Sequence, residues 1–233
     1  MNTRVIEQVP HRHVSVDRPG NRLQVFAKAP IPGHAKTRLA PAIGASAAAE
    51  LHARLVRRTL ATAVGAGVAE VELWCSPGVD HAFFTACRDR FGVALHAQPI
   101  GDLGARIGAG LTDGLARSPR VVVTGTDCPT LTAVDLHDAF AALADGTDAV
   151  LGPATDGGYY LIGMRRVEAC LFSGIDWGGP EVLAQTRARL VALGWAWHEL
   201  PTRWDVDRPE DLARLDLAAE SDTQTKPVIG GIA

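Results

Sequence analysis

Short apolar runs alternate along the chain with longer amphipathic ones, and that alternation sets the fold class. Runs of four to six residues, rich in valine and leucine, predict strands at 23–27, 70–75, 93–96, 120–125, 148–151, 159–164 and 195–200. Between them, helical spacing predicts helices at 46–64, 79–90, 102–116, 133–144, 180–193 and 209–217. The 46–64 stretch is rich in alanine, with Leu51, Leu55 and Leu60 on or near one face. Asp102 and Thr132 stand where N-caps belong. The three consecutive valines Val121, Val122 and Val123 fit a strand buried on both faces. Repeated β-α-β units predict an α/β fold, a mostly parallel sheet sandwiched between helices. Right-handed crossovers then bring the strand-to-helix loops to one edge of that sheet.

Composition narrows the class. A chain of 233 residues with 47% hydrophobic content can bury one substantial core, and one domain over 21–218 is expected. Residues 1–20 read as a polar extension without a secretory core segment, and 219–233 as a loose tail. A formal net charge of −3 argues against a general nucleic-acid binder, and no apolar run reaches the ~20 residues that span a bilayer. Cys75, Cys87, Cys128 and Cys170 form no Cys-x-x-Cys pair, which disfavours a zinc ribbon or thioredoxin-type site and predicts reduced thiols in the cytoplasm. Cys75 and Cys170 are expected in the core, and Cys128 in a structural role.

Candidate chemistry collects on the predicted loop edge. After the first strand, KAPIPGHAKTRL places Lys28, Lys36 and Arg38 around two prolines and Gly33. A stiff basic loop at the carboxyl end of a strand suits phosphate; otherwise it is a solvated connection. After the valine strand come Thr124, Gly125, Thr126 and Asp127, and the aspartate suits either a divalent cation or an Asp-x-Pro turn that caps itself. Asp156-Gly157-Gly158 reads as a tight turn that also sets Asp156 near a substrate and lets backbone approach a ligand. In WDVDRPEDL, Asp207 suits a helix cap with Pro209, Glu210 and Asp211 behind it, whereas Asp205 is not needed for that. Either Asp205 or Asp207 can supply a second carboxylate. In GDLGARIG, Gly101 and Gly104 allow close approach of a flat ring or sugar and Arg106 offers a cation; the plain alternative is a glycine-flanked helix start. His52, His81 and His137 fall in predicted helices without metal-ligand spacing and are expected at the surface or in edge packing, while His34 is an optional phosphate contact. Trp195 and Trp197 alternate as core and rim.

Together the segments FAKAPIPGHAKTRLAP, GDLGARI, VVVTGTDCPTLT, LGPATDGGYYLIG and DVDRPEDL resemble the glycosyltransferase-like, selenodomain-associated transferase family related to 2-phospho-L-lactate guanylyltransferase. The resemblance runs from Phe26 to Leu212, and DVDRPEDL is also similar to an ending of molybdenum-cofactor nucleotidyltransferases. It implies the nucleotide-diphospho-sugar transferase (GT-A, Rossmann-like) fold, a three-layer α/β/α sandwich. It further implies a divalent metal, Mg²⁺ or else Mn²⁺, on Asp127 and a late acid, with Asp207 the best match and Asp205 in reserve. Lys28, Ala29, Pro30, Gly33, Lys36 and Arg38 would face a triphosphate, with Gly101, Asp102, Gly104 and Thr126 as further nucleotide contacts. Asp156, Gly157 and Gly158 would lie by the substrate. The family's usual Trp-Ser-Thr segment is Trp177-Gly178-Gly179 here, so no hydroxyl contact is implied there.

The expectation is therefore nucleotidyl transfer from a nucleoside triphosphate to a phosphorylated small molecule, with Lys36, Arg38 and Asp127 as the catalytic set and pyrophosphate as the leaving group. Glycosyl transfer from a nucleotide-sugar is the alternative, and a non-catalytic nucleotide-binding protein is a third reading. Only one acid follows the valine strand, which favours the first modestly. The base, the acceptor and the oligomeric state are not legible.

Overall fold

A computed structural model describes residues 20–215. Except for residue 20, the expected amino-terminal extension lies outside them, as do the tail and the last two residues of the final helix. The strands are β1 (Asn21–Lys28), β2 (Glu70–Ser76), β3 (Ala94–Ala97), β4 (Arg120–Thr124), β5 (Ala149–Pro153), β6 (Tyr159–Met164) and β7 (Trp197–Glu199). The helices are α1 (Ala40–Ile43), α2 (Ala45–Ala66), α3 (Ala82–Phe91), α4 (Leu103–Leu115), α5 (Ala133–Ala144) and α6 (Val182–Ala192). Residues 211–215 are helical up to the edge of the described region. Two short elements escaped the sequence pattern, α1 and a 3-10 turn at Ala169–Leu171, because neither is long enough to show a period.

The strands form one sheet in the order β3-β2-β1-β4-β6-β5-β7. Only β6 is antiparallel to its neighbours, β4 and β5. Pleating divides the residues cleanly. Leu23, Val25, Leu73, Val122 and Val150 face a core with α2, α3 and α5. Phe26, Trp74, Val121, Val123 and Ile162 face another with α4 and α6. Three layers result, as an all-round apolar central strand requires.

Local sequence chemistry fixes several boundaries. Thr132 and Asp135 form a reciprocal capping box at α5, and Asp102 accepts from Ala105 N at 2.8 Å to cap α4. α3 begins later than expected because His81, rather than the Pro77-Gly78 pair, caps it through the Phe83 amide. Cys75 is buried as expected, but Cys170 is exposed, since the 3-10 turn around Leu171 leaves it outward.

A third, smaller apolar cluster positions the chemistry. Leu39, Ala48, Leu51, Leu55 and Val206 pack where α1, the start of α2 and the late 204–206 segment meet. Val206 is fully buried, so the acids on either side of it are held at a fixed place.

A candidate nucleotide and metal site at the sheet edge

The carboxyl ends of β1, β3, β4, β5 and β7 share one edge, because all five strands run parallel. The β5–β6 turn reaches the same edge even though β6 returns antiparallel. All five candidate segments therefore lie along one rim.

Lys36 is the centre of the arrangement. Its side chain is 3% exposed, and Nζ lies 2.6 Å from Asp127 Oδ1 and donates to Val206 O at 2.5 Å. The Asp127 contact is an ion pair without hydrogen-bond alignment, so Oδ1 is buried yet has no hydrogen-bond partner. Backbone strain accompanies this placement: Lys36 has φ +49°, a left-handed conformation rare for a residue with a Cβ. Gly33, at φ +80°, makes the turn that leads into it. Two residues on, Arg38 pairs with Asp207 at 2.5 Å, more exposed than the Lys36 pair. Val206 N donates to Asp127 O at 2.8 Å and stitches the late segment to the end of β4.

Asp205 and Asp207 occupy different surroundings. Asp205 Oδ1 is buried and unpartnered. Burial first, then the charges of Asp127 and Asp156, push its carboxyl up to about 7, against relief from Lys36. Asp207 is taken by Arg38. Of the two acids, Asp205 is left with an open oxygen and feels the charge of Asp127, whereas Asp207, the family motif's best match, is paired with Arg38. Nor does Asp207 cap the final helix. Instead Asp211, at the start of the helix, reaches back and accepts from the amides of Asp207 and Arg208 at 3.0 and 2.8 Å.

Of the two expectations for His52, the surface and edge packing, burial excludes the first. His52 is 5% exposed, not at the surface. Its Nε2 is 3.0 Å from Lys28 O, and its Nδ1 is 4.0 Å from Asp127 Oδ1 without a hydrogen-bond partner. Burial holds the imidazole below its usual range, although Asp127 pulls the other way. The available signal was a histidine one position after Leu51 in an otherwise apolar helix face beside the basic loop.

Other expected contacts serve the protein's own packing. A Cβ on Gly104 would lie 2.5 Å from the Trp177 indole, so the flat ring that approaches it is internal. At Gly157, with φ +91°, a Cβ would meet Pro180 O at 1.9 Å; the close backbone is likewise the chain itself. Asp156 accepts from Gly158 N at 2.9 Å and shapes its turn, while its charge still reaches Asp205. A Cβ on Gly101 would crowd Ala105. Arg106 clamps that loop through Gly101 O at 2.9 Å. Ala29 is buried and donates to Ser76 O, Thr126 is buried, and Lys28 and Pro30 stand at the rim with at least partial exposure.

The residues fit a divalent cation. Asp205 Oδ1 is buried with no partner, and Asp127 Oδ1 has the Lys36 ion pair but no hydrogen bond, so this corner carries more acid than its buried lysine answers and has carboxylate oxygens of the kind a divalent cation takes. Among the described residues, the one group of three ligand-type side chains whose atoms lie within 4.8 Å of one another is elsewhere, on Glu72, His96 and Asp113. There the charge is already met. Glu72 accepts from Arg22, from Arg117 at 2.6 Å and from Trp74 at 3.1 Å, and Asp113 pairs with Arg117.

Comparison with solved structures agrees with the fold. A provisionally named nucleotide-diphospho-sugar transferase from Desulfovibrio desulfuricans G20 superposes with a TM-score of 0.80 at 29% identity, covering 90% of this chain and 92% of that one. The 4-diphosphocytidyl-2C-methyl-D-erythritol synthase of Anaerococcus prevotii DSM 20548 has a TM-score of 0.61 at 10% identity, covering 88% and 98%. An inositol-1-phosphate CTP transferase from T. maritima gives 0.54 at 12% identity, covering 93% and 99%. These place the chain in the nucleotide-diphospho-sugar transferase-like fold. No curated protein sequence matches. A model for a family described as uncharacterized protein conserved in bacteria (DUF2064) matches residues 59–179, from the second half of α2 past Asp127 and the 156–158 turn to the Trp177 segment. This chain belongs to that family.

Proposed function

We propose that the protein is a metal-dependent nucleotidyltransferase joining a nucleoside monophosphate from a triphosphate to a phosphorylated small molecule. The observation that carries this reading is the convergence of Lys36 and Arg38 with Asp127, Asp205 and Asp207 on one corner of the sheet edge. Lys36 and Arg38 are each paired with an acid, Asp127 and Asp207. A triphosphate offers them stronger partners: Arg38 can grip two phosphate oxygens, and Lys36 acts as a point charge beside the reacting phosphorus. Asp127 and Asp205 are then freed to hold a divalent cation, Mg²⁺ in the simplest case, which when bound would neutralise phosphate charge and polarise the α-phosphoryl group.

The central physical problem is repulsion between two anions. Like charges ~4 Å apart cost about 4 kcal/mol at an effective dielectric near 20. Lys36 and Arg38 offset that cost during approach and stabilise charge as it builds on the leaving group. In the step itself, an oxygen of the acceptor phosphate bonds to the α-phosphorus. The bond from that phosphorus to the α–β bridging oxygen breaks, and pyrophosphate leaves with the electron pair. No nucleophile from the protein is required. Burial holds the Cys128 thiol up at about 11, which suits a packing role.

The Desulfovibrio relative, named for nucleotide-diphospho-sugar transfer, favours a second reading in which the donor is a nucleotide-sugar. Product analysis separates the two. Incubation with triphosphates, Mg²⁺ or Mn²⁺, and phosphorylated acceptors should release pyrophosphate. Release of a free nucleoside diphosphate from a nucleotide-sugar would establish the second. Metal-dependent binding with no turnover across both panels would leave a nucleotide-binding protein. A cytoplasmic setting belongs to this reading and rests on the cysteine pattern; among the described residues no helix is long and apolar enough to cross a membrane.

A further inference from the structure

We infer that His52 is a metal ligand, its Nδ1 completing a nitrogen-and-oxygen site with Asp127 that selects a transition-metal ion such as Mn²⁺ over Mg²⁺. The inference rests on the proposed metal-dependent reading and names the class of ion that reading leaves open.

The geometry around the ring fixes its tautomer. Nε2 is 3.0 Å from Lys28 O. A carbonyl oxygen only accepts, so Nε2 carries the proton and Nδ1 presents a bare lone pair. That lone pair lies 4.0 Å from Asp127 Oδ1, and both atoms are buried without a hydrogen-bond partner. Two acceptors facing each other across 4.0 Å repel unless something positive or proton-donating sits between them. Lys36 does not resolve the conflict, because its ammonium is committed to Asp127 and Val206 O and leaves Nδ1 unpartnered. A metal ion accepts electron pairs from both atoms.

The support around the ring is of the kind metal-binding histidines use. Such residues usually give their other N–H to a carboxylate or backbone carbonyl, which orients the ring and strengthens the donor. Lys28 O supplies that bond, from the end of β1, the strand that leads into the basic loop. The helix holding His52 is anchored on both sides by the buried Leu51 and Ala53. An imidazole donor shifts preference: Mg²⁺ keeps to oxygen and water, whereas Mn²⁺, Co²⁺ and Zn²⁺ accept nitrogen.

The test is made on the full chain with the metal and inorganic triphosphate, an anion that draws Lys36 off Asp127 and brings no nitrogen of its own. Mn²⁺ added to the protein should show ¹⁴N modulation from one directly bound imidazole in pulsed electron paramagnetic resonance. In titrations, His52→Phe should weaken Mn²⁺ binding by about 10- to 100-fold while Mg²⁺ binding changes little. The wild-type spectrum decides the matter even if the variant folds poorly. Bound Mn²⁺ lacking nitrogen modulation, with Asp127→Asn abolishing its binding, would overturn the histidine assignment and leave the metal-dependent reading intact. Mn²⁺ and Mg²⁺ binding that is indifferent to Asp127→Asn would overturn both.

Discussion

Two acidic corners of this molecule, one inside a strand and one beyond a strand's end, treat their charge in opposite ways. At Glu72, on β2, three donors close on one carboxylate: Arg22, Arg117 and the Trp74 indole. At Asp127, beyond β4, one lysine faces the carboxylate, and oxygens on Asp127 and Asp205 stay without hydrogen-bond partners. The first corner spends its charge internally and is part of the scaffold. The second leaves Asp205 Oδ1 buried and unpaired beside the partly exposed Asp127, and such an unmet group marks where a ligand can arrive.

Removing each acid should expose the contrast. Glu72→Ala leaves two arginines without their buried partner and should lower unfolding free energy by about 3–5 kcal/mol, read by urea denaturation. Asp127→Asn, at a carboxylate 46% exposed, should lower the midpoint less than Glu72→Ala does, yet lower turnover by on the order of 10²–10³-fold, the range for losing one preorganised electrostatic group. Equal stability losses in the two variants would erase the distinction.

The pH response should differ in sign. Arg117, Trp74, His96 and Arg22 together hold Glu72 below its usual 4.5 despite burial. Its contribution is therefore complete above pH 4.5 and lost as pH falls through the lower folded value. Asp205 is raised to about 7, so in chelator-treated protein its ionisation removes stability as pH climbs from about 4 to 7. Asp205→Asn should accordingly raise the melting temperature at pH 8 and leave it nearly unchanged at pH 4. The smallest effect belongs to Arg38→Ala: its pair with Asp207 is exposed enough that stability should shift by less than about 1 kcal/mol, whereas triphosphate affinity falls, measured by calorimetry.

Much of this architecture was legible beforehand. β6 and α5 begin and end where the pattern put them, because Gly157-Gly158 opens Tyr159–Met164, two arginines end its apolar run, and Thr132 announces its helix. The shared rim followed from the repeated β-α-β pattern, which makes the strands parallel, although the antiparallel β6 was not foreseen. What sequence could not supply was side-chain company. His52 lacks any local ligand spacing, since its partner is 75 positions away at Asp127. The choice between Asp205 and Asp207 depends on Arg38 reaching one and not the other, a contact across 169 residues. Gly104 and Gly157 looked like ligand-facing glycines because sequence does not say whose atoms crowd them; Trp177 and Pro180 do.

The left-handed backbone at Lys36 has a practical result for anyone redesigning this corner. Glycine and asparagine sit comfortably at such a torsion and neither is cationic, while arginine would keep the charge and bear the same torsional penalty with a longer reach. Shape and charge are thus entangled at one codon. A mutagenesis library confined to that position should return a single winner, and new specificities will have to be sought among its neighbours.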